Sequence, residues 1–263
     1  MRSVAIRLLP AVLFLPACGE KAAPSVATDG IPAKLNVAVA SSMRPAFEEI
    51  AATFTQEYPD MTLAPTFGAS GTFFAQIVQQ APFDLFLSAD TEYPDKLVAD
   101  GLATETFPYA TGQLVLWAPK TASLDLARRG LEVLNDPRVS KIALANPELA
   151  PYGRAAVQTM NSPGTAQGIE AKLSMAENVG QAAQFVQSGA AQVGFFAYSL
   201  TFTREMKDTG DFWLVPATAH DPIRQAGVIL PRTAHPEAAA ALRDFLTGPE
   251  GQAILARHGF GAP

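Results

Sequence analysis

Apolar and polar positions along this chain alternate in two registers, and the switches between them mark its elements. Residues 35–40 (Leu-Asn-Val-Ala-Val-Ala) carry small or β-branched side chains, a strand signature. Met43, Phe47, Ile50, Ala51 and Phe54 then recur at helical spacing, with Glu48 and Glu49 on the other face. Tyr58-Pro59-Asp60 breaks that helix. The same grammar predicts a strand at 62–67, a helix at 73–80 and a short buried strand at 84–88. A helix follows from Ala89-Asp90-Thr91 to Asp100, with Gly101 as its stop. Strand–helix alternation of this kind predicts a parallel, doubly wound sheet covered on both faces.

Residues 113–118 (Gln-Leu-Val-Leu-Trp-Ala), ended by Pro119, form an apolar strand placed to cross into a second unit, where the pattern restarts. A helix at 124–134 and a strand at 141–145 are predicted there, then a Pro151-Tyr152-Gly153 turn into a helix at 154–160. A short strand at 171–175 follows, and Glu177-Asn178-Val179 opens a helix to Ser188. Strands are predicted at 193–197 and 212–215. Residues 225–230 turn apolar again and lead back to the first unit, which helices at 235–246 and 249–257 complete; Pro249 sits in the first turn of the last helix and Gly259 stops it. The expected fold is therefore α/β: two doubly wound lobes, 34–113 with 224–263 and 114–223, joined by two crossing strands. The cleft between them lies at the carboxyl ends of the strands, a geometry that permits hinge closure. No internal sequence repeat is evident.

The amino terminus adds a different signal. Arg2 and Arg7 precede an apolar run from Leu8 to Pro16, then Ala17 and Cys18, the form of an export signal over residues 1–17. The run is shorter than the about 20 residues a spanning helix needs. Leu15-Pro16-Ala17-Cys18 resembles a bacterial lipobox, so the sole cysteine is expected to become a lipid-modified first residue; ordinary cleavage near Ala17 is the alternative. Residues 18–33 have almost no large apolar side chain and read as a solvated tether. Removal of Arg2 and Arg7 leaves 17 basic against 25 acidic residues. That acidity argues against nucleic acid as a partner, and an anionic ligand would have to be captured locally, against the overall field.

Candidate chemistry sits in two serine turns, Ser41-Ser42 and Gly68-Ala69-Ser70-Gly71-Thr72, each between a strand and a helix. The first amides of a helix lack intrahelical partners and the dipole there is positive, which favours an anion. Neither turn holds a lysine or arginine, so the ligand would be held by neutral donors. Helix capping alone would also explain a serine in such a place. Two turns on one sheet, with glycines that admit a ligand close to the backbone beside Ser70, favour a shared site. A nucleophilic Ser70 is the rival, but the nucleophile elbow needs glycine where Thr72 stands. His220, His235 and His258 have no evident partner, and no metal-ligand cluster or phosphate-loop pattern occurs. Tyr152, in a proline-fixed turn before a glycine, presents both its N–H and its hydroxyl.

At these residues the chain resembles the molybdate-binding proteins of bacterial molybdate ABC importers, which have a type II periplasmic-binding-protein fold. The resemblance runs through Val39–Ser42, residues 67–72, 81–90, 146–156, 177–179 and 194–199, to 245–252 and Gly259-Phe260. It implies an oxyanion site made of Ser41, Ser42, Ser70, Tyr152 and the backbone amide of Val179. Some family members have a tyrosine where Ala197 stands here; Tyr198 is next to that slot, which points to Tyr152 as the source of the hydroxyl. Implied further are molybdate or tungstate as ligand, a membrane permease as partner, no cofactor, no catalytic step, a monomer, and membrane association through the lipid alone. Sulfate or another small oxyanion is the alternative within the class, and a secreted serine hydrolase using Ser70 the alternative outside it. Five charge-assisted hydrogen bonds at about 1.5–3 kcal/mol each would total roughly 8–15 kcal/mol. Association costs about 4–15 kcal/mol, so both lobes must contribute. Donors without an acceptor favour a fully deprotonated dianion, because a protonated phosphate would bury an unpaired O–H.

Overall fold

The computed structural model describes residues 33–162 and 168–263. The export signal, Cys18 and the tether up to residue 32 lie outside them; Ala33, assigned to the tether from the sequence, already belongs to the first strand.

The first sheet is built from β1 (Ala33–Ala40), β2 (Met61–Gly68), β3 (Leu85–Leu87), β4 (Thr106–Gly112) and, from far along the chain, β10 (Ile223–Ile229). Its order is β2-β1-β3-β10-β4. β1 runs parallel to β2 and β3, whereas β10 is antiparallel to both of its neighbours. The sequence pattern predicts a parallel sheet; β10 departs from it because it returns directly from the other lobe, without the crossover helix that a parallel partner needs. Alternation along β1 shows why both faces are covered. Leu35, Val37 and Val39 join a core under α1 (Arg44–Glu57), α7 (Pro236–Thr247) and α8 (Pro249–Arg257). Ala38 faces the opposite core, formed with Phe73 and Ile77 of α2 (Ser70–Val78) and Leu97 of α3 (Glu92–Ala99). On α1, Phe47, Ile50 and Phe54 are fully buried, each contributing about 1.5–3 kcal/mol.

The second sheet repeats the plan with β5 (Leu114–Pro119), β6 (Ile142–Ala145), β7 (Leu173–Ala176), β8 (Val193–Ala197) and β9 (Gly210–Leu214), in the order β7-β6-β8-β5-β9. Again the first three strands are parallel and β5 is antiparallel to its neighbours. The chain leaves the first sheet at Gln113, the one residue between β4 and β5, and returns through residues 215–222.

Three local readings change. β4 has no counterpart in the sequence reading: its Pro108 and Gly112 mask a strand, and proline is tolerated there because β4 is an edge. The helix expected at 124–134 is α4 (Leu126–Arg129) followed by a 3-10 stretch, Gly130–Asn135. Gly130 breaks it with φ +51°, packed where a Cβ would approach the Trp213 ring to 3.0 Å. The strand expected at 171–175 starts later, after a 3-10 turn at Glu170–Lys172.

Candidate functional site

Register aligns the strand ends that make the site. Ala40 lies opposite Gly68 and Val39 opposite Leu87, so Ser41-Ser42, Ser70 and Ser88 emerge side by side at the carboxyl edge of the first sheet. In the second sheet Ala145 lies opposite Ala176. The chain beyond those two residues enters α5 (Pro151–Met160) and α6 (Val179–Gln187). Gly153 is required at the start of α5, because a Cβ there would overlap the carbonyl of Ala145.

The two edges face one another across a small inner cavity of about 10 Å³ lined by Ser41, Ser42, Ser70, Ala89, Tyr152 and Val179, among others. That is about the space one water molecule needs. All five residues named from the sequence meet here, and each is at most 5 % exposed. Two helical starts come from each lobe: Ser41 and α2 from the first, α5 and α6 from the second. The first amides of a helix lack intrahelical acceptors and its dipole is positive there, which favours an anion, and no lysine or arginine lines the space. A larger, open groove of about 350 Å³ adjoins Ser41. There Arg44 stacks on Phe67 at 4.1 Å.

The hydroxyls differ in what they have left to give. Ser42 Oγ is fully buried with no hydrogen-bond partner; it is near enough to Tyr152 to influence the phenol, but not in hydrogen-bonding geometry. Ser70 Oγ accepts from the Ala89 amide at 2.9 Å, which leaves its proton to donate. Ser41 Oγ donates to the Gly68 carbonyl at 3.0 Å, so its proton is engaged within its own lobe. Asn178 caps α6 by accepting from the Gln181 amide at 3.1 Å, so the Val179 amide keeps no intrahelical acceptor. The Tyr152 hydroxyl accepts from Gln225 Nε2 at 3.1 Å. Gln225 Oε1 accepts from the Tyr109 hydroxyl at 3.0 Å, and that hydroxyl also donates to Ser88 O at 2.7 Å. Burial pushes both phenols up, so each keeps its proton across the physiological range.

At the rim the lobes are tied directly. The Gly71 amide donates to Leu149 O at 2.8 Å and the Tyr93 hydroxyl to Glu148 O at 3.1 Å. Arg154 of α5 pairs with Asp90 and, at 3.5 Å, with Glu92. Asp90 Oδ1 also accepts from Ser88 Oγ at 2.9 Å and the Tyr93 amide at 3.2 Å. Burial disfavours the charge on both partners: it outweighs the bonds on Asp90, whose pKa rises, while on Arg154 the bonds prevail. Deeper in, Ser199 Oγ of the second lobe donates to Ser42 O at 2.6 Å.

Sequence reasoning missed Gln225, Arg154 and Asp90. The polar Gln225 inside an apolar strand was the available signal; it is fully buried and meets Tyr152 and Tyr109. Tyr198 stays away from the cavity, with its ring 5.1 Å from those of Phe202 and Phe212. Ser70 has no histidine as a base: His258 pairs with Glu49 at 2.7 Å, His220 faces Asp221 O, and His235 stands at the N-cap position of α7 without a side-chain capping bond.

Comparison with known proteins agrees with this geometry. The family described as bacterial extracellular solute-binding protein matches residues 35–261. The molybdate-binding protein ModA of Rhodobacter capsulatus is 39% identical over 225 residues, 85% of this chain and 86% of the relative. A putative ABC transporter substrate-binding lipoprotein, YvgL, of Bacillus subtilis is 25% identical over 262 residues, 99% of this chain and 98% of its own. Among solved structures, the periplasmic molybdate-binding protein of Azotobacter vinelandii superposes with a TM-score of 0.80 at 34% identity, covering 87% of this chain and 99% of that one. With two like-ordered α/β lobes closing on a shared cavity, and with these likenesses along nearly its whole described length, the chain belongs to the bacterial extracellular solute-binding proteins, in the company of the periplasmic molybdate-binding proteins.

Proposed function

We propose that this protein captures molybdate, and tungstate with it, outside the cytoplasm and delivers it as a monomer to the membrane permease of an ABC importer, without a chemical step. The observation that carries the reading is Ser42 Oγ, fully buried and unpartnered at a cavity ringed by helical starts from both lobes. A buried hydroxyl left unsatisfied costs about 1–3 kcal/mol, which an accepting guest recovers. Ser42, Ser70 and Tyr152 would donate through hydroxyls, and Val179 and Ser41 through main-chain amides. A site composed of donors selects a fully deprotonated tetrahedral dianion. The names of the Rhodobacter and Azotobacter relatives support molybdate as that dianion. A lipid on Cys18 would hold the protein at the membrane, and the lipoprotein named among the relatives supports that reading.

Calorimetric titration of the purified protein with molybdate, tungstate, sulfate and phosphate tests the proposal. Molybdate and tungstate are expected to bind tightly, with thermal stabilisation of about 2.7 kcal/mol at a hundredfold excess over Kd. Sulfate binding tighter than molybdate would move the assignment to sulfate, and fluorophosphonate labelling of Ser70 would support a hydrolase instead.

A further inference from the structure

Behind Tyr152 lies a buried cluster with no part yet in the binding scheme: Gln225, Tyr109 and Gly112. Gln225 and Tyr109 are both 0 % exposed. All three belong to strands of the first sheet, while Tyr152 belongs to α5 of the second lobe. At Gly112 a Cβ would overlap the Tyr152 hydroxyl and stand 2.8 Å from Gln225 Nε2. The first lobe thus carries a socket, open only because residue 112 lacks a side chain, into which the second lobe inserts one phenol.

We infer that Gln225 is a positioning residue that sets ligand specificity by fixing which way the Tyr152 proton points. This rests on the oxyanion reading above and adds to it. A phenol has one proton to donate and lone pairs to accept with. Gln225 Nε2 donates to the phenol oxygen, so the proton is left for the cavity side, where Ser42 Oγ and the guest lie. An amide turned the other way would take that proton on Oε1 and leave the phenol facing the cavity as an acceptor. In this orientation Gln225 Oε1 shares the Tyr109 O–H, at 3.0 Å, with Ser88 O at 2.7 Å. The choice matters chemically. A cavity of donors alone rejects an anion that carries its own proton, whereas one acceptor among them would welcome hydrogen phosphate. Because Gln225 and Tyr152 come from different lobes, the proton is aimed only when the lobes meet.

The test is a comparison of Gln225→Met, Gln225→Glu, Tyr152→Phe and the Tyr152→Phe/Gln225→Met pair with the wild type. Each is titrated with molybdate and with hydrogen phosphate, alongside ligand-free thermal melts. Gln225→Met and Tyr152→Phe are each expected to weaken molybdate binding roughly tenfold. The double variant should lose no more than Tyr152→Phe alone, because Gln225 acts through the phenol. Gln225→Glu, titrated at a pH where its buried carboxyl is ionised and can only accept from the phenol, should shift the molybdate-to-phosphate affinity ratio toward phosphate by about tenfold; general loosening would weaken both ligands alike. Wild-type affinity in Gln225→Met, additive losses in the double variant, or an unchanged ratio in Gln225→Glu would each overturn the inference. Should the Gln225 variants fail to fold, Gly112→Ala displaces the phenol by another route and should match Tyr152→Phe; wild-type affinity there overturns it equally. A wild-type protein that ignores molybdate removes the oxyanion reading itself, whereas one that binds it but is indifferent to these changes removes only the role of Gln225.

Discussion

Two patches join the lobes, and they differ in completeness. At the rim, Gly71 with Leu149, Tyr93 with Glu148 and Arg154 with Asp90 and Glu92 satisfy one another using protein groups alone. In the cavity a short distance away, Ser42 Oγ is unpartnered, and Ser70 and Val179 have donors to spare. The rim is charged and self-sufficient; the cavity is neutral and incomplete. The difference separates closing from recognising. Charges at the rim can hold two surfaces together without being selective about the guest. Neutral donors in the cavity leave the choice of guest to shape and protonation, and keep Coulombic competition from lysine or arginine out of the space.

Three substitutions break or sharpen this contrast. The largest effect is expected from Gly71→Ala, whose Cβ would stand 2.5 Å from the Tyr93 oxygen and 3.0 Å from the Leu149 backbone. Closure should be obstructed and all oxyanions should lose about 3 kcal/mol of affinity together, measurable by calorimetry. Ser42→Ala comes next, with two opposite signs: about 2 kcal/mol less ligand affinity, but a higher Tm without ligand, because an unsatisfied buried hydroxyl has been removed. A lower ligand-free Tm would mean that Ser42 serves the fold rather than the guest. Arg154→Met should have the smallest effect, about 1 kcal/mol, because Arg154 is one-third exposed and solvent screens its pair. Its loss should be equal for molybdate and sulfate; a change in their ratio would give the rim a share in recognition.

The sequence displayed the strand–helix alternation and the serine turns because both are local signals. Val37 and Val39 against Ala38 announce a strand covered on both faces, and Pro151-Tyr152-Gly153, expected as a turn ahead of a helix at 154–160, is the first turn of that helix itself. Less could be read where structure depends on distant partners. β4 hides behind Pro108 because its edge position is decided by β10, more than a hundred residues later. Gln225 and Tyr152 are separated by 73 positions, and Arg154 and Asp90 by 64, so neither pair has a spacing to detect. Ser41 was legible as part of the ring, but the use of its proton by the Gly68 carbonyl was not, since that bond depends on how β1 and β2 align.

The place of β10 between β3 and β4 has a consequence for how the molecule comes into being. The second lobe is an unbroken stretch of chain, whereas the sheet of the first is completed in its middle only by a strand from far along the chain. Until residues 223–229 arrive, β3 and β4 expose unpaired edges, the kind of template on which stray strands add. One strand therefore both closes the edges of β3 and β4 and carries Gln225 to its place behind the phenol.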